Sequence, residues 1–246
     1  MTQYHTLASA ISFRLVQCLA LAIGLDNEHY FDEKFDNPIA TLRLLRYATT
    51  IPSCPEQGIY ACGAHSDFGI LTLLFTNHVP GLQIQMKKET LERIYLSNQD
   101  SKHDNGDLEQ EHEQKHEPLS YFDEAKKKNP DHKQSQPQQP QPKLIWVDIP
   151  PPPLGTLIVN LGDMLERWTN GKFVSTVHRV LTCGTSERYS VPFFYEPNFD
   201  TVVTCLDVCC GEDNPPKYPP VTVGNYLLDK FQQSHKDFGL EEEEED

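Results

Sequence analysis

Basic residues are in short supply in this chain. Twenty-one Lys and Arg stand against 36 Asp and Glu, for a formal net charge of −15. The acidic run 241–246 supplies −6 of that, which leaves −9 across the rest. A surface so charged repels phosphate backbones and anionic headgroups, so neither nucleic acid nor a membrane is expected as a partner. The run itself reads as a solvating tail. Apolar residues are thin as well, at 38% of 246 residues and a mean hydropathy of −0.53. A chain of this length can bury one good-sized core, but at this composition part of it must lie outside. The longest apolar stretch near the start, residues 7–25, is broken by Arg14 and Gln17. It has neither a basic beginning nor a small-residue cleavage site, and reads as neither membrane span nor signal peptide. Cysteine pairs at metal or redox spacing are missing too. Cys18, Cys54, Cys62, Cys183, Cys205, Cys209 and Cys210 are odd in number, and no two are separated by two residues. Reduced thiols in the cytoplasm are the expectation.

What is present is periodic. Leu7, Ile11, Leu15, Leu19 and Ile23 recur every fourth residue up to Gly24, which predicts an amphipathic helix packed on the core through that face. Residues 41–49 alternate as a strand does, and short apolar runs at 70–75 and 81–86 are separated by a turn at Pro80-Gly81. The composition then shifts: residues 97–143 are Gln, Lys, Glu, Asp, His and Pro, with one apolar island at Leu119, Tyr121 and Phe122. Such a segment cannot bury enough surface to offset its ordering entropy, and is expected to be a disordered insertion. Strand-like runs resume at 144–149, 156–161, 174–181 and 188–195. A short helix is expected at 164–168, with Asp163 as N-cap and Asn170-Gly171 as its stop, and another at 223–233. Many short strands with few helices predict a mainly β fold with flanking helices: a sandwich, jelly roll or barrel. The chain thus divides into an N-terminal helical segment 1–40, a core 41–210 interrupted by 97–143, and a C-terminal helix with its acidic tail, 211–246.

Three sites carry chemistry. In His65-Ser66-Asp67, strand geometry sends residues two apart to the same side, so imidazole and carboxylate converge. A second His from a distant strand would complete a facial triad with open positions for substrate and oxygen, and His178, inside the β-favouring run 175–180, suits this. Arg188 and Ser190 share a face by the same spacing, and a guanidinium with a hydroxyl can grip one carboxylate. By contrast, the HExxH pattern at 112–116 sits among Glu, Gln and Lys with no apolar back face, so it does not read as a zinc protease.

The stretches HSDFGILTLL (65–74), GLQI (81–84), GTLIVNLGDMLERWTNG (155–171), STVHRVL (175–181) and RYSVPFFYEP (188–197) together resemble the isopenicillin N synthase-like group of 2-oxoglutarate- and Fe(II)-dependent oxygenases. The resemblance implies a double-stranded β-helix, or jelly roll. It implies Fe(II) held by His65, Asp67 and His178, which are also the catalytic residues. It implies 2-oxoglutarate as co-substrate with O2, its distal carboxylate on Arg188 and Ser190, and Tyr47 contacting it as well. The implied reaction is oxidation, by default hydroxylation, of a small-molecule substrate with release of succinate and CO2. Phe68, Phe193, Phe194 and Gln83 are expected on the substrate side. Two departures stand out. About forty residues precede the first matching strand, where the family usually carries a longer N-terminal region walling the pocket. The 110 residues between Asp67 and His178 fall to 63, close to the family's scale, once 97–143 is set aside. Alternatives are an Fe(II) oxidase of the same group that does not use 2-oxoglutarate, and a non-catalytic binding protein on this fold. Retention of the triad and the Arg-x-Ser pair favours the enzyme.

Overall fold

The computed structural model describes residues 1–103, 142–182 and 184–236. In chain order the elements are helix α1 (Thr2–Ile23), strands β1 (Ile39–Leu42), β2 (Leu45–Tyr47), β3 (Cys62–His65), β4 (Leu71–Thr76) and β5 (Leu82–Lys87), and helix α2 (Lys88–His103). Then come β6 (Leu144–Asp148), β7 (Ile158–Leu161), helix α3 (Asp163–Trp168), β8 (His178–Val180), β9 (Arg188–Glu196), β10 (Val202–Val203), β11 (Val221–Thr222) and helix α4 (Val223–Lys236). Two antiparallel sheets face each other as a jelly roll. The larger runs β1-β9-β4-β7 with β2 also on β9, and the smaller runs β3-β8-β5-β6.

The long strand β9 organises the molecule by its alternation. Phe193 and Tyr195 point into the main hydrophobic cluster, where Phe193 meets His5 edge-on and Tyr195 stacks on Phe35. The other set, Arg188, Ser190, Phe194 and Glu196, faces the interior of the roll. In register, Phe194 lies opposite Thr72 on β4 and Arg188 opposite Tyr47 on β2.

Helix α1 packs across β4 and β9, but through a face rotated from the expected one, of which only Ile23 is fully buried. The buried stripe is Ala8, Ser12, Val16, Ala20 and Ile23. Leu7 is 61% exposed, and Leu15 and Leu19 only flank the cluster. The small residues let the helix backbone approach the sheet closely, which a row of leucines would prevent. Among the described helices α1 alone is long and apolar enough to suit a bilayer; here its stripe packs on protein. Gly24 ends it in the left-handed conformation, φ 104°.

Several boundaries differ from expectation, the strand expected at 174–181 being only His178–Val180 and that at 156–161 only Ile158–Leu161. The alternating stretch at 41–49 is two strands, parted at Arg43 and Leu44. Helix α2 continues to His103, past the start expected for the polar insertion at Ser97. Residues 104–141 of that segment, the HExxH pattern with them, and the acidic tail lie outside the described residues. Strands β5 and β6, on either side of the segment, pair directly from Gln83↔Asp148 to Lys87↔Leu144.

Candidate active site

His65 and His178 stand directly opposite each other on paired strands β3 and β8, with an irregular register between Cys62 and His65. Asp67 follows β3 by two residues. One ligand atom from each of His65, Asp67 and His178 lies within 4.8 Å of the other two, the one such cluster among the described residues. Both imidazoles aim Nε2 at the same carboxylate oxygen: Asp67 Oδ1 is 4.0 Å from His65 and 3.8 Å from His178. The tautomers follow from the backs of the rings. His65 Nδ1 lies 2.8 Å from the Gly63 carbonyl and His178 Nδ1 lies 2.9 Å from that of Thr176. A carbonyl only accepts, so each Nδ1 carries a proton, and each ring in its neutral form presents the Nε2 lone pair that a metal would take. Two imidazole nitrogens and one carboxylate oxygen on one side suit a divalent first-row metal with open positions.

Asp67 is held as firmly as its partners. Its Oδ2 accepts 2.6 Å hydrogen bonds from Thr72 on β4 and from Asn160 on β7, which leaves Oδ1 for the centre. The peptide after it is clamped by the start of α3, where Asp163 and Met164 amides donate to the carbonyls of Asp67 and Gly69 at 2.9 and 3.0 Å. This clamp explains why Gly162, and not Asp163, is the N-cap of α3: a Cβ at Gly162 would lie 2.5 Å from the Gly69 carbonyl oxygen. Asp163 begins the helix, accepting from the Tyr226 hydroxyl at 2.7 Å and pairing with Lys230 at 3.4 Å. Thr72, Asn160 and Gly162 were not expected as site residues. A lone Asn at the third position of the apolar strand IVNL was their one visible signal.

The electrostatics differ around the centre. The Cys62 thiol, 3.8 Å from His65 Nδ1, raises the His65 pKa to about 9, with the Gly63 carbonyl and Asp67 helping and burial opposing. Burial lowers His178. Glu196, 5% exposed, is pushed up to about 8 by burial and by the Asp67 charge.

Further along β9 lies a buried cation. Arg188 is 1% exposed, and its Nε and Nη1 have no hydrogen-bond partner among the described residues. Burial lowers its pKa, and no carboxylate contributes to offset that. Its guanidinium lies 5.2 Å from the Tyr47 ring, and burial raises the pKa of that tyrosine while Ser190 and Arg188 beside it oppose the shift. Ser190 is buried on the same face. The three expected anion-binding residues are therefore together, around donors that lack an anion.

Of the residues expected on the substrate side, Phe194 shares the face of β9 that carries Arg188 and Ser190. Phe193 lies in the core beneath α1. Gln83 lies on the outer face of β5, donating to Asp148 and accepting from Arg179, each at 2.8 Å. Its neighbour Ile84, opposite His178, takes the inner position. Phe68 packs edge-on against Phe231 of α4. His65, with 40% of its side chain exposed against 16% for His178, marks the open side of the centre.

A sequence model of the 2OG-Fe(II) oxygenase superfamily matches residues 40–116 and 127–197, which contain every residue of the site. The chain is 29% identical over 233 residues to the 2-oxoglutarate-Fe(II) type oxidoreductase hxnY of Emericella nidulans, covering 95% of this chain and 51% of that protein. It is 50% identical over 93 residues to Kihadalactone A synthase LFS of Citrus sinensis, covering 38% of this chain and 27% of that one. A full-length Neurospora crassa protein, solved in complex with alpha-KG and 5-formyluracil, superposes with a TM-score of 0.63 at 23% identity, over 94% of this chain and 58% of that one. The chain thus spans about half the length of hxnY.

Proposed function

Because the chain belongs to the 2OG-Fe(II) oxygenase superfamily, we propose that it is an Fe(II)- and 2-oxoglutarate-dependent dioxygenase that hydroxylates a small organic molecule. His65, Asp67 and His178 are its iron ligands. When bound, the iron supplies oxygen activation coupled to decarboxylation of 2-oxoglutarate to succinate and CO2.

The protein supplies geometry. Gly63 and Thr176 carbonyls fix the imidazoles, and Thr72 and Asn160 fix the carboxylate, so the ligands are arranged before the metal arrives. Arg188 and Ser190 take the distal carboxylate of 2-oxoglutarate, with Tyr47 beside them, and aim its keto acid end at the centre. The observation that carries this reading is Arg188 itself. A guanidinium 1% exposed with two free donors is costly unless an anion completes it. A protein that bound metal alone would gain nothing from it. Relatives described as 2-oxoglutarate-Fe(II) oxidoreductases support the same co-substrate. The six free cysteines among the described residues fit a reducing compartment, and the cytoplasm is the one we assign.

The test is turnover without a known substrate. The full chain with Fe(II), 2-oxoglutarate and O2 should release succinate slowly above a metal-free control, and His178→Ala should abolish the excess. Succinate at control level, together with no measurable 2-oxoglutarate binding, would overturn the proposal.

A further inference from the structure

One acid inside the roll lacks a partner. Glu196 ends β9 with 5% of its surface exposed, and its Oε2 is buried with no hydrogen-bond partner among the described residues. It shares the face of β9 that carries Arg188, Ser190 and Phe194, and lies roughly 26 Å along the strand from Arg188. The pairing with β4 fixes its place against the centre. Phe194 stands opposite Thr72, whose hydroxyl holds Asp67 Oδ2, and just beyond that pair the Ile70 amide donates to the Tyr195 carbonyl. The Glu196 side chain lies against Gly69, two residues past Asp67: a Cβ there would be 2.6 Å from Glu196 Cγ and 2.8 Å from its Oε1. Along β9 the triad is thus flanked by a guanidinium with free donors on one side and a carboxyl with a free acceptor on the other.

Resting on the proposed function, we infer that Glu196 binds substrate, and that the substrate carries a protonated amine which this carboxyl takes while a carbon of the same molecule lies at the metal. A buried carboxyl without a donor costs free energy, and no lysine, arginine or histidine among the described residues donates to Oε2. An ammonium completes it with a charge-assisted hydrogen bond. Phe194, two residues back on the same face, offers an aromatic ring to the same cation. The protein's own cations are engaged elsewhere: Arg188 takes the co-substrate, and Lys230, over the Phe68 ring, pairs with Asp163 at 3.4 Å. An anionic substrate would meet both Asp67 and Glu196 with Arg188 already taken. The two ends of β9 therefore divide the work, one orienting co-substrate and the other selecting substrate by charge.

The experiment titrates primary alkyl- and arylalkylamines, each beside the alcohol of the same carbon skeleton, into the full chain loaded anaerobically with Fe(II) and 2-oxoglutarate, and reads binding by calorimetry. At least one amine should bind about tenfold or more tightly than its alcohol, the worth of one hydrogen bond to a charged group. In Glu196→Gln that preference should vanish, while the Kd of 2-oxoglutarate, read from its visible absorption with Fe(II), stays the same. Glu196→Met, apolar and of similar volume, should behave alike. If wild type binds 2-oxoglutarate but no amine outbinds its alcohol, or if the preference survives both substitutions, the inference falls and the proposed function stands. The inference also falls if both variants lose 2-oxoglutarate binding, since Glu196 then supports the fold. If wild type binds no 2-oxoglutarate, both readings fall.

Discussion

Replacing Arg188 by Met removes the guanidinium while keeping most of the side-chain volume. Arg188 is 1% exposed and leaves Nε and Nη1 without partners, so two opposed effects follow. Without co-substrate, a desolvated charge is exchanged for an apolar chain of similar size, which is neutral to stabilising. Thermal unfolding of the 2-oxoglutarate-free protein should be unchanged or shifted upward. With co-substrate, two charge-assisted hydrogen bonds are lost. Each is worth about 1.5–3 kcal/mol, so a loss of about 3 kcal/mol is the lower end, or a Kd weakened roughly 100-fold. Arg188→Lys should recover only part of this, since an ammonium does not reproduce the planar two-pronged grip. Fe(II) affinity should be the same in all three proteins. Calorimetric titration of 2-oxoglutarate into the anaerobic Fe(II) forms measures the co-substrate affinity, and a chelator competition measures that of the metal. Equal 2-oxoglutarate Kd in wild type and Arg188→Met, or a variant that simply unfolds, would refute the reasoning.

Three further outcomes follow from the same geometry. Asn160→Ala removes one of two donors to Asp67 Oδ2 and should weaken Fe(II) binding about 10- to 100-fold, measured by competition with a chelator. Gly81→Ala should prevent folding, seen as loss of soluble protein and of the circular dichroism spectrum. Its φ is 140° and a Cβ would lie 2.1 Å from the Leu181 carbonyl oxygen, a position open to glycine alone. Glu196 has a pKa of about 8 in the fold against about 4.3 unfolded, so the folded state holds its proton more tightly. The metal-free protein therefore loses stability as pH rises from about 4.3 to 8, by on the order of 5 kcal/mol at most. Glu196→Gln should remove that slope, raising the melting temperature above neutral pH more than in mild acid; equal shifts would contradict the assignment.

The triad and the Arg188–Ser190 pair were legible in the sequence because strands repeat every two residues. RxS states a shared face on β9 directly, and His178 sits in a run of β-branched residues. Asp67 instead lies just past the end of β3 and is aimed by its bonds to Thr72 and Asn160. What the sequence concealed was orientation against the third dimension. The α1 stripe runs through Ala8, Ser12 and Ala20, residues whose small size, not their hydrophobicity, allows close approach. Gln83 is expected on the substrate side, but the pairing Ile84↔His178 turns it outward. Thr72 and Asn160 looked like ordinary strand positions, since only the fold brings β4 and β7 against the Asp67 carboxylate. Gly162 displaces Asp163 from the cap for a reason visible only where two backbone segments meet.

The central claim, that His65, Asp67 and His178 hold Fe(II) beside a 2-oxoglutarate site built on Arg188, is tested most directly by one anaerobic titration. Adding 2-oxoglutarate to the Fe(II)-loaded chain should produce a saturable visible absorption band with one equivalent bound. The band should be absent in His178→Ala, which lacks the metal ligand. A wild-type chain that binds Fe(II) but shows no band and no bound 2-oxoglutarate would contradict the account.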